Sequence, residues 1–165
     1  MNNIWYLNRL PKDAKYILSL FLISMAIGIT VGLAYVYLTT NATPPGTVER
    51  FKGSEVLADE IPKEFPKPIK NMVLTTHDHV LTFAMITLLI SSIFYFNSVI
   101  GGLPRLILLI EPFISTIIMF SSLWLMRYYL DIFVYLMMIA GVFTYLCWYI
   151  MIFVSIYDLI WKNND

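Results

Sequence analysis

The chain holds two histidines, and they stand two apart in the run Thr75-Thr76-His77-Asp78-His79. In an extended segment residues i and i+2 point the same way, so both imidazoles can grip one metal ion, with Asp78 orienting one ring from behind. In a helix the same two rings lie about 200° apart and cannot. A discrete metal site lacks a clear third and fourth protein ligand beyond Asp78 and Asp131, so none is assigned. Haem held by two histidines draws them from two helices, and this chain offers histidine from one stretch only. His77 or His79 is then a single axial ligand, one half of a site shared with another subunit, or a quinone contact. Haem b and quinone are the cofactors this reading admits. The plainer alternative is a helix start, with Thr75 or Thr76 as the cap and Asp78 in the first turn, complementing the dipole. The third connection brings Arg127, Tyr128, Tyr129 and Asp131 to the same membrane face as Asp78, which predicts a polar cluster of Asp78, Arg127 and Asp131.

Glu111 is the second chemical feature. It lies six residues after Arg105, about 9 Å into an apolar run at helical rise. A carboxylate there is expensive in lipid, and such residues face the bundle interior or a cavity. Ser115 and Ser122 follow at i+4 and i+11, giving one polar stripe, and Pro112 removes a backbone donor beside the carboxyl. On the antiparallel neighbouring helix Tyr95 and Asn97 fall at the same depth. Two readings stay open: a proton-carrying or ligand-facing carboxyl in a small oligomeric transporter or channel, and a protonated side chain hydrogen-bonded to Tyr95, Asn97 or a serine, joining two helices. Ser24, Gly28 and Gly32, spaced by four, form a small-residue face that lets another helix approach, inside the bundle or from another chain.

Helices in a membrane must position these groups. The 165 residues include 11 basic and 11 acidic side chains, 59% hydrophobic and only 13% charged residues, about half the roughly 25% charge of a soluble domain. That balance excludes an ordinary cytosolic enzyme and a nucleic-acid binder built on a basic face, and the 16% aromatic content excludes disorder. Four apolar runs, 16–38, 80–100, 106–126 and 132–157, each suffice to cross a ~30 Å hydrocarbon core as a helix. None alternates as a lipid-facing strand does. The expected fold is an all-α integral membrane protein, a single domain of residues 1–165 in which a four-helix transmembrane bundle carries one long extramembrane connection, 39–79, between its first two spans. Trp5, Tyr6, Tyr35, Tyr37, Trp124, Tyr128, Tyr129, Tyr157 and Trp161 mark the interfaces, and Arg9, Lys12 and Lys15 before the first span place both termini in the cytoplasm. Cys147 is unpaired in mid-span, so disulfide chemistry plays no part.

In the long connection, Pro44-Pro45-Gly46 and Pro62, Pro66 and Pro68 act as breakers, and Val48 to Ala58 forms a short helix able to lie on the membrane with Val48, Phe51, Val56 and Leu57. No phosphate loop, catalytic triad, cysteine metal site or HExxH motif is present, so no catalytic residue is named and no enzyme is expected.

The stretch from Phe65-Pro66-Lys67 through Thr75-Thr76-His77-Asp78-His79 to Phe96, followed by Ile110-Glu111-Pro112-Phe113 and Leu125-Met126-Arg127, resembles a group of small, uncharacterised bacterial inner-membrane proteins. These have four spans, a TTHxH-type entry to the second helix and an acidic residue before proline in the third. The resemblance implies that His77, His79 and Glu111 are positions of interest and that the chain sits in the bacterial inner membrane; it supplies no activity. The resulting expectation is a non-catalytic subunit of a larger membrane assembly, a respiratory or electron-transfer complex. Its partners would be lipid, larger membrane subunits and a periplasmic protein at 39–79, with no nucleic acid.

Overall fold

The computed structural model describes residues 6–54 and 61–162, so Trp5, Val56 and Leu57 lie outside the described residues. A 3-10 turn, Leu7–Arg9, leads into α1 (Lys12–Thr40), α2 (Pro44–Lys52), α3 (Ile69–Phe94), α4 (Gly102–Tyr128) and α5 (Phe133–Ile160). No strand occurs among the described residues. Four of these helices, all but α2, are long and apolar enough to cross a membrane, and the chain is a four-helix membrane bundle.

α5 is the hub. It packs most extensively on α4 and also on α1 and α3, whereas α1 barely touches α3. Its Trp148 is fully buried and donates its indole N–H to Thr87 Oγ1 of α3 at 3.0 Å. Phe94, Met72, Ile90, Met126 and Met151 complete the centre. An indole in an apolar core needs such an acceptor, because its N–H has no water to turn to.

The two ends of the bundle differ. At one end, the terminal end, the N-terminal turn is tied to the exit of α3 by Leu7 N–H donating to Phe96 O at 3.0 Å. Lys162 donates to Ser98 O at 2.9 Å, so both described chain ends lie here. Gly102 opens α4 with φ +62°, a conformation that disfavours any side chain.

At the other end, the cap end, the connection between α1 and α3 folds onto the bundle. Thr43 caps α2 by accepting from Gly46 N–H at 3.2 Å, and Val48 and Phe51 pack against the core. The short helix therefore spans Pro44–Lys52 and ends at Gly53, the expected continuation to Ala58 lying outside the described residues, and Val48 and Phe51 face protein. Gly53 ends it at φ +91°, pressed against Pro66 so closely that a Cβ would sit 2.7 Å from the ring. Arg50 pairs with Glu64 at 3.3 Å, and the Lys67 ammonium lies 4.4 Å above the Phe51 ring. Burial, then the nearby Arg50, lowers the Lys67 pKa, and Glu64 partly offsets this.

The second long helix begins earlier than its apolar run. α3 starts at Ile69, directly after Pro68, and ends at Phe94. Proline is compatible with a helix entry, and Met72 in the first turn is fully buried, so packing carries the helix through the polar Thr75–His79 run. Trp124 of α4 ties the two helices at this level, its indole N–H donating to Thr76 Oγ1 at 2.8 Å.

Candidate functional site

Because α3 is continuous through Thr75–His79, neither the extended lead-in nor the capped helix start occurs. His77 and His79 point to different sides of α3 and cannot share a metal, and no group of three metal-ligating side chains forms among the described residues. The two histidines then part company. His77 is exposed. His79 lies on the stripe that also carries Met72, Phe83 and Ile90, one turn deeper than Thr76. Its Nδ1 is 2.8 Å from Thr75 O. A carbonyl can only accept, so Nδ1 donates here, and in the neutral ring the lone pair lies on Nε2. The ring sits about 6 Å from the Phe83 and Phe120 rings and remains exposed. An imidazole with Nδ1 held by a carbonyl and Nε2 free is arranged as a ligand or as an acceptor. Nearby, α3 and α4 leave an apolar groove lined by Val80, Ile117, Trp124 and Tyr128.

The expected membrane-face cluster is dispersed among different partners. Asp131 pairs with Lys52 of α2. Arg127 donates to Lys67 O at 3.3 Å and covers the Tyr128 ring. Asp78 is exposed on α3 and bonds to neither. The folded cap supplies the closer partners, which no spacing rule reveals.

Glu111 lies on the side of α4 that meets α5. Its Oε1 accepts from the Ser115 hydroxyl, and buried Cys147 of α5 is a neighbour that makes no hydrogen bond to it. Its Oε2 is buried without a partner. Neither Tyr95 nor Asn97 bonds to it. Tyr95 is exposed beneath the Arg105 guanidinium. Asn97 instead closes the α3–α4 turn, accepting from Val99 N–H and Ile100 N–H at 3.0 and 2.6 Å and donating to Phe94 O. The helix ends before Asn97, so equal depth along an ideal helix does not translate into contact. Pro112 interrupts no turn visibly: α4 continues, and Thr116 satisfies Pro112 O at 2.7 Å.

Asp158 escapes a reading of the sequence because it stands one place beyond the fourth apolar run, where a charge marks a solvated end. It is fully buried. Oδ2 accepts from Ser98 N–H and Oδ1 from the Ser98 hydroxyl, each at 2.6 Å. The available signal was an acidic residue in the last turn of a helix, which opposes the dipole and calls for a compensating donor.

The small-residue face of α1 is turned outward. Ser24 and Gly28 are exposed, a Cβ on Gly28 would meet nothing within 4 Å, and one on Gly32 would lie 4.0 Å from the Tyr145 hydroxyl of α5. α1 is held to α5 by its other side, where Thr30 and Tyr149 share a hydrogen bond of 2.7 Å.

No curated protein and no solved structure matches the chain. Residues 41–165 match the model of the family Aq_1264_TM, a transmembrane helical domain. That match takes in α2 to α5 and begins just after α1. The chain belongs to the Aq_1264_TM family of transmembrane helical domains.

Proposed function

We propose that this protein is a non-catalytic subunit of a larger membrane assembly, seated in a bacterial inner membrane with both termini in the cytoplasm and the cap facing the periplasm. The observation that carries the reading is the outward face of α1. Large apolar side chains cover a lipid-facing helix adequately, whereas Ser24 and Gly28 leave a shallow place on which a second backbone can lie closely. The occupant is a transmembrane helix of a larger subunit. The test is purification in mild detergent with mass spectrometry of the accompanying chains, for wild type and for Gly28→Leu. Nothing in the bundle opposes the new side chain, so the variant folds normally and loses the partner. Retention of the same partners by Gly28→Leu overturns this docking face.

A second reading is favoured by His79. Its free Nε2 and the neighbouring apolar groove suit an axial haem contact or a quinone head whose chain lies along α3 and α4, which would make the assembly a respiratory or electron-transfer complex. A visible spectrum of the purified complex and of His79→Ala tests it. A Soret band lost in the variant supports haem, and a quinone extracted from wild type but not from the variant supports the other cofactor. Neither cofactor in wild type, or equal content in both proteins, overturns the reading.

A further inference from the structure

The groove between α3 and α4 lies toward the cap end of the bundle. Ile69, Thr76 and Val80 of α3 line one wall and Ile117, Trp124 and Tyr128 of α4 the other, around a cavity of about 740 Å³, within the range of ligand sites. The Trp124–Thr76 hydrogen bond joins the walls, and the Trp124 and Tyr128 rings stack at 5.6 Å. Tyr129 also borders the cavity, and Ile117 lies twelve residues before it. That is about 18 Å along α4 at helical rise, close to half of a ~30 Å hydrocarbon core. The groove therefore extends through about one leaflet. A neighbouring transmembrane helix needs a seat along the whole core, whereas a lipid chain of the cap-side leaflet needs one of this length.

A cation stands at the cap end of both walls. Arg127 donates to Lys67 O at 3.3 Å, two residues before Ile69 of the first wall, and its guanidinium carbon lies 5.1 Å from the centre of the Tyr128 ring of the second. A guanidinium carries five N–H donors. Lys67 O takes one of them, and Nε is buried without a partner. Buried donors are nearly always paired, so an acceptor or a water belongs beside this one. Among the described residues the ion pairs are Arg50–Glu64 and Lys52–Asp131, and no carboxylate pairs with Arg127. Tyr128 and Tyr129 are exposed at the same end, and amphipathic aromatics gather at the headgroup level. An apolar groove one leaflet long, closed at that level by an unpaired cation, is complementary to a molecule with an apolar chain and an anionic head.

We propose that this groove binds an anionic phospholipid of the cap-side leaflet, with one acyl chain between the two walls and the phosphate accepting from the Arg127 guanidinium. The site is separate from the docking face on α1. It leaves an axial haem contact at His79 open and competes with a quinone, whose tail needs the same groove. The cation at its end favours the lipid, because a quinone head is uncharged.

Native mass spectrometry of the full chain in mild detergent tests this, with phosphatidylglycerol and phosphatidylcholine of the same chains titrated separately. Wild type binds the anionic lipid about tenfold more tightly, the effect of one hydrogen bond to a charged group. Arg127→Gln, whose amide can still donate to Lys67 O, removes that preference. Ile117→Trp fills the groove from an exposed position and weakens binding of phosphatidylglycerol with Arg127 intact. Arg105→Gln, which removes the corresponding cation over Tyr95 at the terminal end, matches wild type. Excess inorganic phosphate displaces no lipid, because the chain carries part of the affinity. Should Arg127→Gln not fold, Ile117→Trp and Arg105→Gln decide the matter. Equal binding of the two lipids by wild type, unchanged binding by Ile117→Trp, equal loss in Arg105→Gln, or displacement by phosphate overturns the proposal. So does a co-purifying quinone that wild type holds in preference to phosphatidylglycerol, which returns the groove to the His79 reading.

Discussion

Removing the Asp158 carboxyl is the perturbation whose cost follows most directly from the geometry. Its two oxygens take both donors of Ser98, the backbone N–H and the hydroxyl, each at 2.6 Å and with Asp158 fully buried. Hydrogen bonds to charged groups contribute about 1.5–3 kcal/mol each, and a donor left unpaired in the interior adds its desolvation cost. Water at the bundle end recovers part of this for Ser98, so Asp158→Ala is expected to lose about 3–4 kcal/mol. Asp158→Asn keeps one carbonyl oxygen for the backbone N–H, and its amide can donate to the reoriented Ser98 hydroxyl, which limits the loss to about 1–2 kcal/mol. Ser98→Ala removes only the hydroxyl bond, a loss of about 1.5–2 kcal/mol. In the double variant Asp158→Ala/Ser98→Ala that bond is already gone, so the coupling is also about 1.5–2 kcal/mol. Equilibrium unfolding in mixed micelles with increasing SDS measures all four. A loss below about 1 kcal/mol for Asp158→Ala, or an equal loss for the alanine and asparagine variants, refutes the reasoning: the carboxylate would then not be what joins α5 to the α3–α4 turn.

Other perturbations probe separate parts of the bundle. Thr87→Val keeps the shape but removes the acceptor of the Trp148 N–H, and unfolding should show a loss of about 0.6–1.7 kcal/mol; a neutral result would mean that the bond contributes nothing net. Glu111→Gln, which preserves an acceptor for Ser115, should fold as wild type, whereas Glu111→Leu should weaken the α4–α5 contact by about 1–2 kcal/mol, and equal stability of the two contradicts this. Lys67 has a folded pKa below its unfolded value, so the unfolded cap binds more protons between the lowered pKa and about 10.5, and cap stability rises with pH through that window. Hydrogen exchange at the Lys67 amide, bonded to Phe51 O, should therefore slow relative to its intrinsic rate as pH rises, and Lys67→Met should abolish the dependence. A slope that persists in Lys67→Met assigns it to another group.

Four long apolar runs, three of them without charge and 106–126 carrying Glu111 alone, made the bundle readable, because such length and near absence of charge require helices in lipid. What the runs conceal is where a helix extends beyond its apolar part. Polar Thr75–His79 resembles a connection by composition, yet Pro68 permits the helix to start and buried Met72 holds it there. That extension reverses the reading of the histidines, since it separates His77 from His79 and leaves His79 alone with an oriented ring. The environment of Glu111 was half legible. Ser115 at i+4 follows from periodicity, whereas Cys147 becomes its neighbour only through the pairing of α4 with α5. Asp158 and Lys52–Asp131 depend on contacts across 60 and 79 residues, which no local pattern carries. The orientation of Ser24 and Gly28 likewise depends on which side of α1 meets α5.

The central claim, that the chain is built into a larger assembly through α1, is met most directly by native electrophoresis of mild-detergent extracts, with wild type and Gly28→Leu run side by side and the bands identified by mass spectrometry. The account predicts that wild type migrates with larger membrane subunits and that Gly28→Leu migrates without them while retaining wild-type stability against SDS. Wild type migrating without other subunits, or both proteins migrating with the same ones, contradicts it.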